Sequence, residues 1–129
     1  MGKLIPDAVI DSMLEVIADN VDRIDICADT PTNYSTATTA GTYSLGSVAV
    51  TVGDGNGDWT IGDGDTSGRK LTLAQQTGVS IGNTGTATHI AMTDGSSVFY
   101  GATTCTSQAV TSGNTATINA FDIEISDAS

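Results

Sequence analysis

Basic side chains are the scarcest feature of this chain. Four Lys and Arg stand against fifteen Asp and Glu, a formal net charge of −11 with a pI near 4.1. A protein that grips nucleic acid must neutralise several phosphates at once, and only Arg69 and Lys70 are adjacent here, so no nucleic-acid partner is expected. Anionic membrane surfaces are disfavoured for the same reason. No apolar run approaches the roughly 20 residues of a membrane span, so no membrane partner is expected. The first residues, Met1-Gly2-Lys3-Leu4-Ile5-Pro6-Asp7, lack the long apolar stretch of a secretory leader, which predicts synthesis in the cytoplasm.

Cysteine and histidine are equally thin. Cys27, Cys105 and His89 are the whole supply, with no CxxC spacing, which argues against a zinc centre. A Cys27–Cys105 disulfide requires their two strands to meet, and two free, mostly buried thiols is the plainer expectation for a cytosolic product. His89 alternates with Ala87 and Ala91 in a strand-like run, and no G-x-S-x-G elbow exists to supply a nucleophile. Only two glutamates are present, Glu15 and Glu124, which leaves little for the paired carboxylates of glycoside hydrolysis. The composition predicts no enzyme.

What the chain does have is Thr, Ser, Val and Gly, with 39% hydrophobic residues and only 15% charged ones. That balance excludes an acidic disordered tail and favours strands. The 129 residues suffice for one ordinary domain. The expected fold class is all-β, a β-sandwich of jelly-roll or immunoglobulin-like type with a short N-terminal α-helix.

The helix is read over about 6–19, because Val9, Ile10, Met13, Leu14 and Ile17 recur at three- and four-residue spacing. Pro6, Asp7 and Asp11 suit its start, and Asn20 its end. A compositional break at Asn20 divides the chain into a helical segment, 1–20, and a β-sandwich domain, 21–129. Val9, Met13 and Ile17 either pack on the protein's own end or dock on a neighbouring subunit. Ile24 and Ile26 alternate with Arg23 and Asp25 in a half-buried strand. Residues 28–42 show no period and read as a long loop with Tyr34 as its interaction anchor. Strand-like alternation follows over 43–52, 59–61, 69–74, 84–93, 97–104 and 115–125, and Asp94-Gly95 marks a hairpin. No repeat of fixed period is present.

Gly53-Asp54-Gly55-Asn56-Gly57-Asp58 lacks the Lys of a phosphate loop. Calcium is the sharper alternative, since Asp54, Asn56 and Asp58 stand at positions 1, 3 and 5 of an EF-hand-like loop and Asp65 at position 12. Against it, position 6 is Trp59 where the loop turns on Gly, and position 12 is not Glu. No metal or cofactor is therefore assigned, and the stretch reads as a turn.

Several stretches resemble small virion structural proteins of tailed bacteriophages. They are Leu4 to Asp11, Asp22 to Cys27, Asp63 to Lys70, Thr86 to His89, Asp94 to Ser97 and Asn119 to Ile125. The resemblance implies a particle component with no catalytic residues, and within that class a capsid decoration, or cement, protein on the capsid exterior. Its implied partner is the major capsid protein, and it would form a homo-oligomer, a dimer or trimer. The Asp54–Asp58 insertion departs from the pattern. Alternatives are a tail- or fibre-associated structural protein and a calcium-dependent carbohydrate-binding module using Asp54, Asn56, Asp58 and Trp59.

Overall fold

The computed structural model describes residues 5–65 and 67–125. Leu4 and Thr66, which belong to two of the motifs above, lie outside them. The described residues are mostly antiparallel strand, with one helix of 12 residues and one of 5. The elements are α1 (Asp7–Ala18), β1 (Arg23–Cys27), α2 (Tyr34–Thr38), β2 (Ser44–Ala49), β3 (Trp59–Asp63) and β4 (Arg69–Leu73). They continue with β5 (Gln76–Ser80), β6 (Gly85–Thr93), β7 (Phe99–Val110), β8 (Thr115–Ile118) and β9 (Phe121–Ile125).

Two compact units result. The first takes the chain up to Asn20, Thr51–Gln75 and the residues from Asn119 on; the second takes Val21–Val50 and Gln76–Ile118. The break at Asn20 is thus one of four crossings, and α1 shares its unit with β3, β4 and β9.

In the first unit the sheet runs β3-β4-β9. Cross-strand partners share a face, so Trp59, Leu73 and Phe121 form one row and Ile61, Leu71 and Ile123 the next. α1 packs over β3 and β4. Its residues Ile10, Leu14 and Ala18 recur four apart and are buried, as are Trp59, Leu71 and Leu73. Arg69 on β4 ties the helix down, its Nε and Nη2 donating to the Asp11 carboxylate at 2.7 and 3.2 Å. The helix ends where Asn20 Nδ2 donates to the Val16 carbonyl at 2.8 Å, satisfying one of the orphan acceptors of the last turn.

In the second unit the order is β2-β1-β6-β7, with β5 and β8 paired separately. β1 is central. Ile24 and Ile26 lie in register with Met92 and Ile90 on one face. Asp25 and Cys27 point to the other, where Cys27, Ala37 of α2 and Ala91 form a buried cluster with Phe99 packed on it. Both faces are covered, so a strand whose alternation reads as half-buried is buried almost throughout.

Three readings need correction. Residues 34–38 are a helix, not loop. Asn33 Oδ1 accepts the Thr36 N–H at 2.9 Å while Thr36 Oγ1 accepts the Asn33 N–H at 3.1 Å, a reciprocal cap that nucleates one turn without apolar periodicity. The last strand is two. β8 pairs with β5 and β9 with β4, so the chain changes sheet at Asn119–Ala120 although its alternation runs on. β5, which carries little apolar alternation, is an additional strand.

Asp94-Gly95 does turn the β6–β7 hairpin. Gly95 takes φ +72°, and the Asp94 carboxylate accepts the N–H groups of Ser96, Ser97 and Val98 at 2.8–3.0 Å. These bonds favour the charged carboxylate and hold its pKa below the ordinary value.

Candidate functional site

The residues considered for calcium are each occupied locally. Asp54 Oδ1 accepts the Ile61 N–H at 2.9 Å, and Asp58 Oδ2 accepts the Thr51 N–H at 2.7 Å. Asn56 Nδ2 donates to the Val52 carbonyl at 3.0 Å. Asp65 receives Lys70 Nζ at 2.6 Å, which raises the lysine pKa. The three carboxylates spaced for one cation are instead engaged by backbone donors and a lysine, and Asn56 is engaged through its amide nitrogen. Among the described residues no group of three or more His, Cys, Asp or Glu side chains converges on a point.

His89 stands in β6 between two hydroxyls, Thr30 Oγ1 at 3.2 Å from Nε2 and Thr88 Oγ1 at 2.8 Å from Nδ1. Each ring nitrogen is committed to a threonine, and the Thr30 contact fastens the segment after β1 to the sheet. Cys27 is buried; desolvation, reinforced by nearby Asp25, pushes its thiol up to about 12. Burial also raises Cys105. Both thiols therefore stay protonated and weakly nucleophilic at neutral pH. β1 and β7 flank β6 on opposite sides. Two strand spacings separate them by roughly 9–10 Å, beyond the ~7 Å reach of a disulfide. Both cysteines are free.

The strongest polar constellation lies on β1. Asp25 is fully buried, receives Arg23 Nε and Nη2 at 2.8 and 2.9 Å, and accepts Ser44 Oγ at 2.6 Å. The bidentate carboxylate holds the Arg23 pKa above its ordinary value. Arg23 leads from this pair into an open groove of about 330 Å³ lined with Thr38, Ser44, Ser47, Ser80 and Asn83. Asp25 cancels its charge, so the groove offers hydroxyl and amide groups without a net cation. The pair lies within β1, and the Ser44 hydroxyl ties it to β2; sequence reasoning placed Asp25 on a solvent face and missed it.

Two exposed surfaces remain. On α1, Val9, Met13 and Val16 are 51%, 45% and 53% exposed. At 100° per residue they form one line on the side away from Ile10, Leu14 and Ala18. The expected interaction stripe of Val9, Met13 and Ile17 is thereby divided: Val9 and Met13 face out, Ile17 is half-buried, and Val16 joins the line. Its signal was available in the i, i+4, i+7 spacing. Tyr34 is the half-buried first residue of α2. The other surface is β7, the outer strand of its sheet. Its twelve residues carry no charge, and Thr104, Thr106, Ser107, Gln108 and Ala109 are exposed.

No family model, curated protein or solved structure matches this chain. No helix among the described residues is long and apolar enough to cross a membrane.

Proposed function

We propose that the chain is a structural component of a tailed-phage particle, a decoration protein that binds the capsid exterior and bridges neighbouring major capsid subunits. One observation carries this reading: each compact unit offers its own uncharged exposed surface, α1's apolar line and β7, on a chain of net charge −11. A bridging protein needs one adhesive surface for each neighbour. The short Thr, Ser and Ala side chains of β7 lose little rotamer entropy at a contact, and the apolar line supplies the burial that drives association. Repetition over a lattice, in dimers or trimers on symmetry axes, lets individually weak contacts sum. The acidic remainder keeps particles apart. The resemblance of the motifs at Asp22–Cys27 and Asn119–Ile125 to small virion proteins points the same way. With this reading goes a sandwich arrangement in the second unit, supported by the burial of Val79 on β5 and Ile118 on β8.

Quantifying the protein in purified heads and purified tails tests the proposal. A copy number on the scale of the shell subunit, in heads, is the expected result. A few copies in tails would assign it there, and absence from both would overturn the reading.

A further inference from the structure

We infer that α1's outer line docks on a partner surface that is apolar at its centre and carries Lys or Arg beside it. The inference rests on the decoration reading and names the docking surface and the chemistry of what it meets. α1 contains three acids, Asp7, Asp11 and Glu15, followed by Asp19 at its C-cap, and no base. Asp11 is satisfied by Arg69. Glu15 and Asp19 are exposed and four residues apart. Asp19, three beyond Val16 and about 60° from it around the helix, borders the Val9–Met13–Val16 line, and Glu15 lies on the same flank, about 100° from Val16.

Their position is electrostatically awkward. The C-terminal end of a helix already carries partial negative charge, and acids there are disfavoured. Nothing within the described residues relieves them. Arg23 is held by Asp25, Arg69 by Asp11 and Asp63, and Lys70 by Asp65 and Asp122. An apolar line bordered by uncompensated carboxylates fits a surface of opposite sign. A second copy is the wrong occupant, because pairing α1 with itself sets acid against acid. An anionic lipid surface is wrong for the same reason.

The test uses phage heads from a deletion of this gene, to which the purified full chain is added and co-sedimentation measured across salt concentrations. The wild type is expected to bind saturably and to weaken as salt rises. Replacing all three of Val9, Met13 and Val16 by Ser should weaken binding about 100-fold, since roughly half of each side chain's apolar burial is lost. The pair Glu15→Gln and Asp19→Asn should cost about tenfold and flatten the salt dependence. This pair leaves the apolar positions untouched and so guards against a folding defect in the triple variant; thermal melts of both confirm the fold. If the wild type binds and both variants bind equally well, the inference falls and the decoration reading stands. Loss of self-association in the triple variant, with head binding unchanged, would make the occupant a second copy and also overturn it. A wild type that ignores the heads at every salt concentration overturns the decoration reading itself.

Discussion

In the first unit the three-stranded sheet keeps one polar face, with Thr60, Thr72 and Asp122 in one row and Gly62, Lys70 and Glu124 in the next, and covers only the other with α1. In the second unit β1 is covered on both faces, by the apolar residues around Ile24 and Ile26 on one side and by α2 on the other. The difference decides what each unit must do with its charges. A one-sided sheet leaves carboxylates in water, where Asp122 and Glu124 need no special partner to be tolerated. A two-sided strand that contains Asp25 has to bury it, and a buried carboxylate is stable only when paired and fully hydrogen-bonded. Arg23 and Ser44 meet that demand.

If the first unit depends on its single helical cover, Leu14→Ala should be the most damaging of these substitutions. Leu14 is 1% exposed, and deleting its buried side chain should cost roughly 3–4 kcal/mol, read by urea denaturation. Hydrogen exchange sharpens the comparison: amides of β3 and β4 should lose protection while those of β1 and β6 keep theirs. Equal loss in all four strands would mean that the units open as one block.

The second unit's corresponding weak point is Asp25. Asp25→Ala strips a buried pair of its acid and should cost about 3 kcal/mol, whereas replacing both partners by apolar residues, Asp25→Leu with Arg23→Met, should recover most of that loss. A single variant as stable as the wild type would show that Arg23 and Ser44 find solvent easily and that the pair does not anchor β1.

These contrasts also explain which parts of the fold are legible in the sequence. α1 was expected over 6–19 and spans Asp7–Ala18, because its period and its Asn20 stop are local. The Asp94-Gly95 hairpin was legible for the same reason. Periodicity failed where the answer lay in another part of the chain. It placed Val9, Ile10, Met13, Leu14 and Ile17 on a single face, but with Val16 the apolar arc is too wide to say which side turns inward. It ran 115–125 together, because alternation records a strand's own pleat and says nothing of which sheet it joins. It gave Asp25 a solvent face, because nothing in Arg23–Cys27 announces that α2 will cover it. Residues 34–38 were lost for a different reason: a five-residue helix with one buried side chain, Ala37, has no period to detect. Its only local signature is Asn33 and Thr36 three apart, a pairing less distinctive than Ser or Thr with Glu. Asn33→Ala should therefore cost about 1 kcal/mol, measured as a shift in denaturation midpoint, and should expose the Cys27 thiol to modifying reagents. Unchanged thiol protection would separate the cap from the cover.

The smallest expected effect concerns the hairpin and depends on pH. In the fold Asp94 is held charged by three backbone N–H donors, so its pKa lies below that in the unfolded chain. A group with a depressed folded pKa contributes stability that is complete above its ordinary value, 3.8, and is lost as pH falls through the folded one. Asp94→Asn keeps an acceptor but no charge, so the wild type should melt higher than the variant at neutral pH. That gap should close between about pH 5 and pH 2. Taking the difference between the two melting curves cancels the other carboxylates, which titrate alike in both proteins. A gap that stays constant through the acid range would mean that the loop's three donors bind the asparagine carbonyl as well as the carboxylate, and that shape rather than charge turns the hairpin. Because β7 begins directly after this loop, the same measurement shows whether the uncharged outer strand depends on an acid for its placement, whereas the first unit's outer line on α1 is placed by Leu14 and its apolar neighbours.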